Sequence, residues 1–63
     1  MANKRVVTVS RVELVRQLRA GRAAALAGLL VTECPWSPNG DGDERLRAAA
    51  WVRGYARGKR AEG

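Results

Sequence analysis

One stretch interrupts this chain, and it fixes how many elements the chain can build. Pro35 biases Cys34 away from helical backbone. Ser37-Pro38-Asn39-Gly40-Asp41-Gly42 is turn chemistry throughout. A run long enough for a helix lies on either side, so Cys34-Pro35-Trp36 reads as the joint of a two-helix chain. The expected fold class is all-α, a helical hairpin with an optional short extended segment at its N-terminus. With 63 residues there is room for one domain. Its expected parts are a tail or short strand (1–9), helix 1 (10–28), a connecting segment (29–42) and helix 2 (43–60).

Size limits what can hold these parts together. A chain this short buries only about 60% of the surface its unfolded form exposes. A single Cys excludes an internal disulfide, and one Cys with no His excludes a tetrahedral zinc site within one chain. Close helix packing remains, or a partner chain, a second copy included.

Residues 1–5 form a basic tail, and Val6-Val7-Thr8-Val9 is β-branched and reads as a short extended segment. It could pair with its copy in a dimer, lie along a helix or stay loose. Ser10-Arg11-Val12-Glu13 fits a capping box, with the Ser10 hydroxyl on the backbone of residue 13 and Glu13 reaching back. Helix 1 should run from Arg11 to about Ala27. Val12, Leu14, Val15 and Leu18 are expected on its apolar side, and Arg16, Arg19 and Arg22 on an opposite basic stripe. Gly21 inside a helix costs about 1 kcal/mol relative to Ala. Gly21, Ala25 and Gly28 make a small-residue face where another backbone could approach, unless Gly28 is merely the C-cap.

Leu29-Leu30-Val31-Thr32 either extends helix 1 or folds back over it. Asp41 or Asp43 can cap helix 2, and Asp41-Gly42-Asp43-Glu44 keeps capping-box spacing. Helix 2 should run from about Asp43 to Arg60. Ala48, Trp51, Val52 and Tyr55 share one face, with Gly54 and Gly58 beside them. Arg53, Arg57 and Arg60 form a second basic stripe. Trp36, Trp51 and Tyr55 are expected as core rather than as platforms for bases, because the chain has no Phe and little other bulk. No repeat and no heptad run is evident.

Charge points to a class of partner. Twelve basic residues face six acidic ones, for a net charge of +6, and ten of the twelve are Arg. The guanidinium fork grips phosphate bidentately, so RNA or DNA is the favoured partner. A GC-rich genome would also inflate Arg, Ala and Gly without any function. The lone Cys34 and the lack of a long apolar run suit a cytoplasmic protein with no membrane span. No base stands ready beside Ser10 or Ser37, and no glycine-rich phosphate loop precedes a Lys and a Ser or Thr. Asn39-Gly40-Asp41-Gly42-Asp43 resembles the start of a calcium loop, but Glu44 stands where Gly is needed and Ala50 where Glu is needed. The expectation is no cofactor, no metal and no catalytic residue.

Taken together, these residues resemble the ribosome modulation factor (Rmf)/CrpP family of small proteins. The resemblance covers about residues 20 to 58. Its marks are the run Gly21-Arg22-Ala23-Ala24-Ala25-Leu26-Ala27-Gly28, then Cys34-Pro35-Trp36, then Trp51-Val52-Arg53-Gly54-Tyr55. The N-terminal Lys4-Arg5-Val6-Val7-Thr8-Val9-Ser10-Arg11 looks more like the CrpP branch on mobile elements. The loop from Ser37 to Glu44 is longer and more acidic than the ribosomal branch would have it. By resemblance, Gly21, Gly28, Cys34, Pro35, Trp36, Trp51, Gly54 and Tyr55 determine the fold rather than contact a ligand.

The resemblance and the charge imply a noncatalytic RNA- or ribosome-binding regulator. It would dock Arg16, Arg19, Arg22, Arg53, Arg57 and Arg60 on the phosphates of ribosomal RNA. Two alternatives stay open. One is a ciprofloxacin-resistance protein of the CrpP type, reputed to phosphorylate fluoroquinolones with ATP, although this chain offers no recognisable nucleotide site. The other is a small protein-interaction or dimer module using its apolar faces.

Overall fold

The computed structural model describes residues 9–62. The tail at 1–5 and all of the expected extended segment except Val9 lie outside the described residues. The expected all-α architecture is present: α1 (Arg11–Leu26) packs against α2 (Gly42–Glu62), and a 3-10 turn (Val31–Glu33) stands between them. There is no strand among the described residues, and no helix is long and apolar enough to cross a membrane.

Each helix end has a local cause. Ser10 Oγ accepts the Glu13 N–H at 3.1 Å and caps α1. The reciprocal half of the expected capping box is replaced: the Glu13 carboxylate turns to Arg16, Gln17 and Arg47. At the other end Gly28 takes φ +84°, the Leu29 N–H donates to the Ala24 carbonyl and the Gly28 N–H to the Ala25 carbonyl. This is a Schellman ending. Gly28 is thus the left-handed residue just after the Ala27 C-cap and takes no part in a small-residue face. Asp41 caps α2 by accepting the Glu44 N–H at 2.9 Å. The Glu44 carboxylate reaches back to the Ser37 N–H at 2.8 Å and ties the loop to the helix.

Leu29 to Thr32 folds back rather than extending α1. Tyr55 donates its hydroxyl proton to the Leu29 carbonyl at 2.7 Å, and the Trp36 indole N–H donates to Gln17 Oε1 at 2.8 Å. The connection therefore travels the length of α1 before α2 begins. Its reach allows this: residues 27–41 could span about 50 Å extended, against about 24 Å for a helix of the 16 residues in α1. The consequence is that the helices run parallel. Glu13 meets Arg47, Leu18 meets Gly54, and Ala25 meets Gly58, so partners advance together along both helices.

The contact between the helices is made by small residues. A Cβ at Gly21 would overlap the Trp51 carbonyl and lie 2.9 Å from the Tyr55 nitrogen; one at Gly54 would overlap the Leu18 carbonyl. A Cβ at Gly58 would stand 2.7 Å from Ala25 Cβ and 2.8 Å from the Arg22 carbonyl. Only hydrogen at these sites lets the two backbones come so close. The buried positions are Gln17, Gly21, Ala24 and Ala25 on α1, with Ala48, Trp51, Gly54 and Gly58 on α2.

This corrects the expected apolar face of α1. Val12 and Val15 are exposed (68% and 44%), and Leu14 and Leu18 are half-buried. The buried stripe is turned toward Gly21 because close backbone approach, not side-chain bulk, sets the crossing. Of the expected aromatic core, Trp51 is buried (4% exposed), whereas Trp36 and Tyr55 are half-buried. Val52, expected beside Trp51, is exposed.

Candidate nucleic-acid interface

A closed ring of four side chains locks the returning segment onto the helix pair. Trp36 donates to Gln17 Oε1. Gln17 Nε2 donates to Glu13 Oε2 at 2.8 Å. Arg47 Nε donates to the same carboxylate oxygen at 3.3 Å, and the Arg47 guanidinium lies 5.0 Å from the centre of the Trp36 ring. Burying Gln17 is tolerable because both ends of its amide are bonded. The Gln17 amide donor holds the Glu13 carboxyl below its usual range, aided by Arg47 and Arg16 and opposed by partial burial. Neither Gln17 nor Arg47 stands out in the sequence, since a Gln on a helix and one Arg among ten carry no signal of pairing.

Glu33, Asp41, Asp43 and Glu44 are engaged too. Glu33 accepts the Leu30 N–H at 3.0 Å, and Asp41 and Glu44 serve the start of α2. The arginines are treated differently. Arg19, Arg22, Arg53, Arg57 and Arg60 are exposed, and none has an acidic partner among the described residues. Arg16 is the exception in the expected set: it pairs with Glu13 at 3.2 Å.

Parallel packing gathers most of these cations on one side. A groove of about 230 Å³ runs between the helices there, floored by Leu14, Val15 and Leu18 of α1 and by Leu46, Ala49 and Ala50 of α2. Arg11 and Arg53 stand on its walls, and no residue of the connecting segment lines it. At 3.6 residues per turn, positions i, i+4, i+7 and i+11 share a face. On α1 these are Arg11, Val15, Leu18 and Arg22; on α2 they are Leu46, Ala50, Arg53 and Arg57. The same count puts Arg22 and Arg57 on the two walls of the groove. Arg19 and Arg60 stand farther outward on their helices. Arg11, not singled out from the sequence, joins the set; Arg16 pairs with Glu13 and, with Arg11, Val12, Val15 and Arg19, also lines a neighbouring depression of about 460 Å³.

The remaining singled-out residues lie elsewhere. Cys34 is half-buried and, with Val31, Trp36, Pro38, Ala48 and Val52, lines a second groove of about 520 Å³ between the connecting segment and α2. Pro35 is exposed beside it. Trp51 stacks on Tyr55 with ring centres 5.5 Å apart, and the Lys59 ammonium lies 5.9 Å from the Tyr55 ring centre. No family model matches the chain, and neither a curated protein nor a solved structure shows significant similarity to it.

Proposed function

We propose that this chain is a noncatalytic regulator that binds RNA, with ribosomal RNA as its target. The observation that carries this reading is the division of charge. Glu13 is spent on Arg16 and Arg47, and Glu33, Asp41 and Glu44 on backbone N–H groups, while Arg11 and Arg53 line one open groove between parallel helices and helical spacing sets Arg22 and Arg57 on the same faces. A face of unpaired guanidinium groups attracts a polyanion and releases its counterions on contact. The resemblance of Gly21–Gly28, Cys34-Pro35-Trp36 and Trp51–Tyr55 to the ribosome modulation factor family supports RNA, and the ribosome in particular, over other polyanions. Those residues act in this reading as fold determinants: Gly21 and Gly54 at the helix contact, Gly28 at the cap, Trp36 in the polar ring.

The test is sedimentation of the pure protein with ribosomes through sucrose gradients at low and moderate salt. Salt-sensitive migration with a subunit, beyond that of an equally basic control peptide, is the expected result. Absence from every ribosomal fraction at low salt would reject ribosome binding.

A further inference from the structure

We infer that the cationic groove reads the phosphate backbone of double-helical nucleic acid without regard to sequence, and that unpaired strands are the poorer ligand. This rests on the RNA-binding reading above and narrows its ligand class.

The first ground is where the aromatic rings are. Proteins that hold single strands combine a cationic track with rings on which bases stack. All three rings here are committed elsewhere. Trp51 is buried and stacked on Tyr55. The Tyr55 hydroxyl is bonded to Leu29, and Lys59 lies over the ring. The Trp36 N–H is bonded to Gln17, Arg47 covers one face of the ring, and the ring lines the second groove instead. None of the three lines the groove between Arg11 and Arg53.

The second ground is what the groove does offer. Its floor is aliphatic and can neither donate nor accept a hydrogen bond. The stripes Arg11-Val15-Leu18-Arg22 and Leu46-Ala50-Arg53-Arg57 contain no Asn, Gln, Ser or Thr, so the arginines are the sole side chains there able to reach a base edge, and they read guanine only where a major groove is open to them. Guanidinium groups are the sole polar groups of those stripes, set in two rows across a gap. In an A-form duplex the major-groove base edges are too deep for side chains, and the accessible targets are phosphates and ribose hydroxyls. Two rows of arginine match two phosphate strands, and the complementarity is of charge alone.

The experiment compares the full chain's affinity for an RNA hairpin stem, an unstructured oligouridine of equal nucleotide number, and a DNA duplex of the same length, at fixed salt. The stem should bind at least about tenfold more tightly than the strand, and permuting its base pairs should change affinity by less than about threefold. The salt slope for the stem should be about −3 to −4 if the four groove arginines each engage a phosphate. Equal affinity for the DNA duplex also supports backbone reading, and a preference for the RNA stem adds the ribose hydroxyl to it. Equal or tighter binding of the strand, or a spread above about tenfold among stem sequences, would overturn the inference while leaving RNA binding intact. Binding to none of the three overturns both this inference and the functional reading, and gives the apolar-floored groove to a partner helix instead.

Discussion

The Trp36 indole N–H donates to Gln17 Oε1 at 2.8 Å, and this bond joins the returning segment to the middle of α1. Gln17 is only 8% exposed. Trp36→Phe keeps a ring under Arg47 but leaves the Gln17 oxygen without its donor, which should cost about 1–3 kcal/mol. Tyr55→Phe removes a bond to the Leu29 carbonyl, and Leu29 is solvent-exposed. Water can replace that donor, so the loss should be nearer 0.5–1 kcal/mol, roughly the net worth of one hydrogen bond. Urea midpoints of the two variants test the ranking; a larger loss in Tyr55→Phe would mean that the Trp36 bond does not anchor the segment.

Glycine substitutions separate close contact from open space. Ala at Gly21 or Gly54 would place a methyl group within the opposing helix backbone. Ala is the better helix former by about 1 kcal/mol, yet overpacking against backbone should outweigh that and destabilise by about 1–3 kcal/mol. Gly42 opens α2, and nothing lies within 4 Å of where its methyl group would stand, so Gly42→Ala should be neutral or stabilising by up to about 1 kcal/mol. Gly28→Ala must hold φ +84° without steric conflict from neighbours, and its loss of about 1–2 kcal/mol comes from the left-handed backbone alone. Thermal unfolding followed by circular dichroism reads all four.

These contacts explain what could be read from the sequence. Two helices were legible because Ser10 and Asp41 cap them and the turn-rich run after Pro35 separates them. The buried side of α1 was not, because it consists of Gln17, Gly21, Ala24 and Ala25, which carry no hydrophobic bulk. Gln17, Gly21 and Ala24 are spaced four and three, and Trp51, Gly54 and Gly58 three and four; the pattern is heptad-like, but Trp51 is its one large apolar residue. Val12 and Val15 drew the apolar face the wrong way for the same reason. The direction of the helix pair has no sequence mark, since residues 27–41 are long enough for a reversal or a return. The arginine stripes were legible as exposed cations, but residues three apart drift about 60° around a helix at each step, which carries Arg16 away from Arg22 and onto Glu13.

Acid should weaken the fold through Glu13. Its carboxyl is held low by the Gln17 amide, with Arg47 and Arg16 adding to the effect. A depressed native pKa contributes stability that is present above the ordinary glutamate pKa and lost as pH falls through the lowered native value. The melting temperature of the native chain should therefore fall as the pH is taken from neutral to below about 4, the region where glutamates titrate. Glu13→Gln should start lower at neutral pH and show a shallower decline over the same interval. Parallel curves for the two proteins would remove Glu13 from the acid response.

Arg16 and Arg53 provide the sharpest comparison of a paired with an unpaired arginine. Both are exposed arginines carrying one charge, so any ligand that responds only to net charge must treat their loss alike. The structure distinguishes them. Arg16 spends its guanidinium on Glu13 at 3.2 Å, and Arg53 stands on the wall of the open groove without an acidic partner among the described residues. Arg53→Gln should weaken binding to an RNA stem and lower the magnitude of the log–log salt slope by about 0.7–0.9, the value of one lost phosphate contact. Arg16→Gln should leave the slope within error of the native chain and cost stability only slightly, as expected of an exposed ion pair worth about 0–1 kcal/mol. Titrations of both variants at several salt concentrations decide the matter. Equal slopes would mean that charge acts diffusely over the whole surface, and the groove would lose its claim to be the interface.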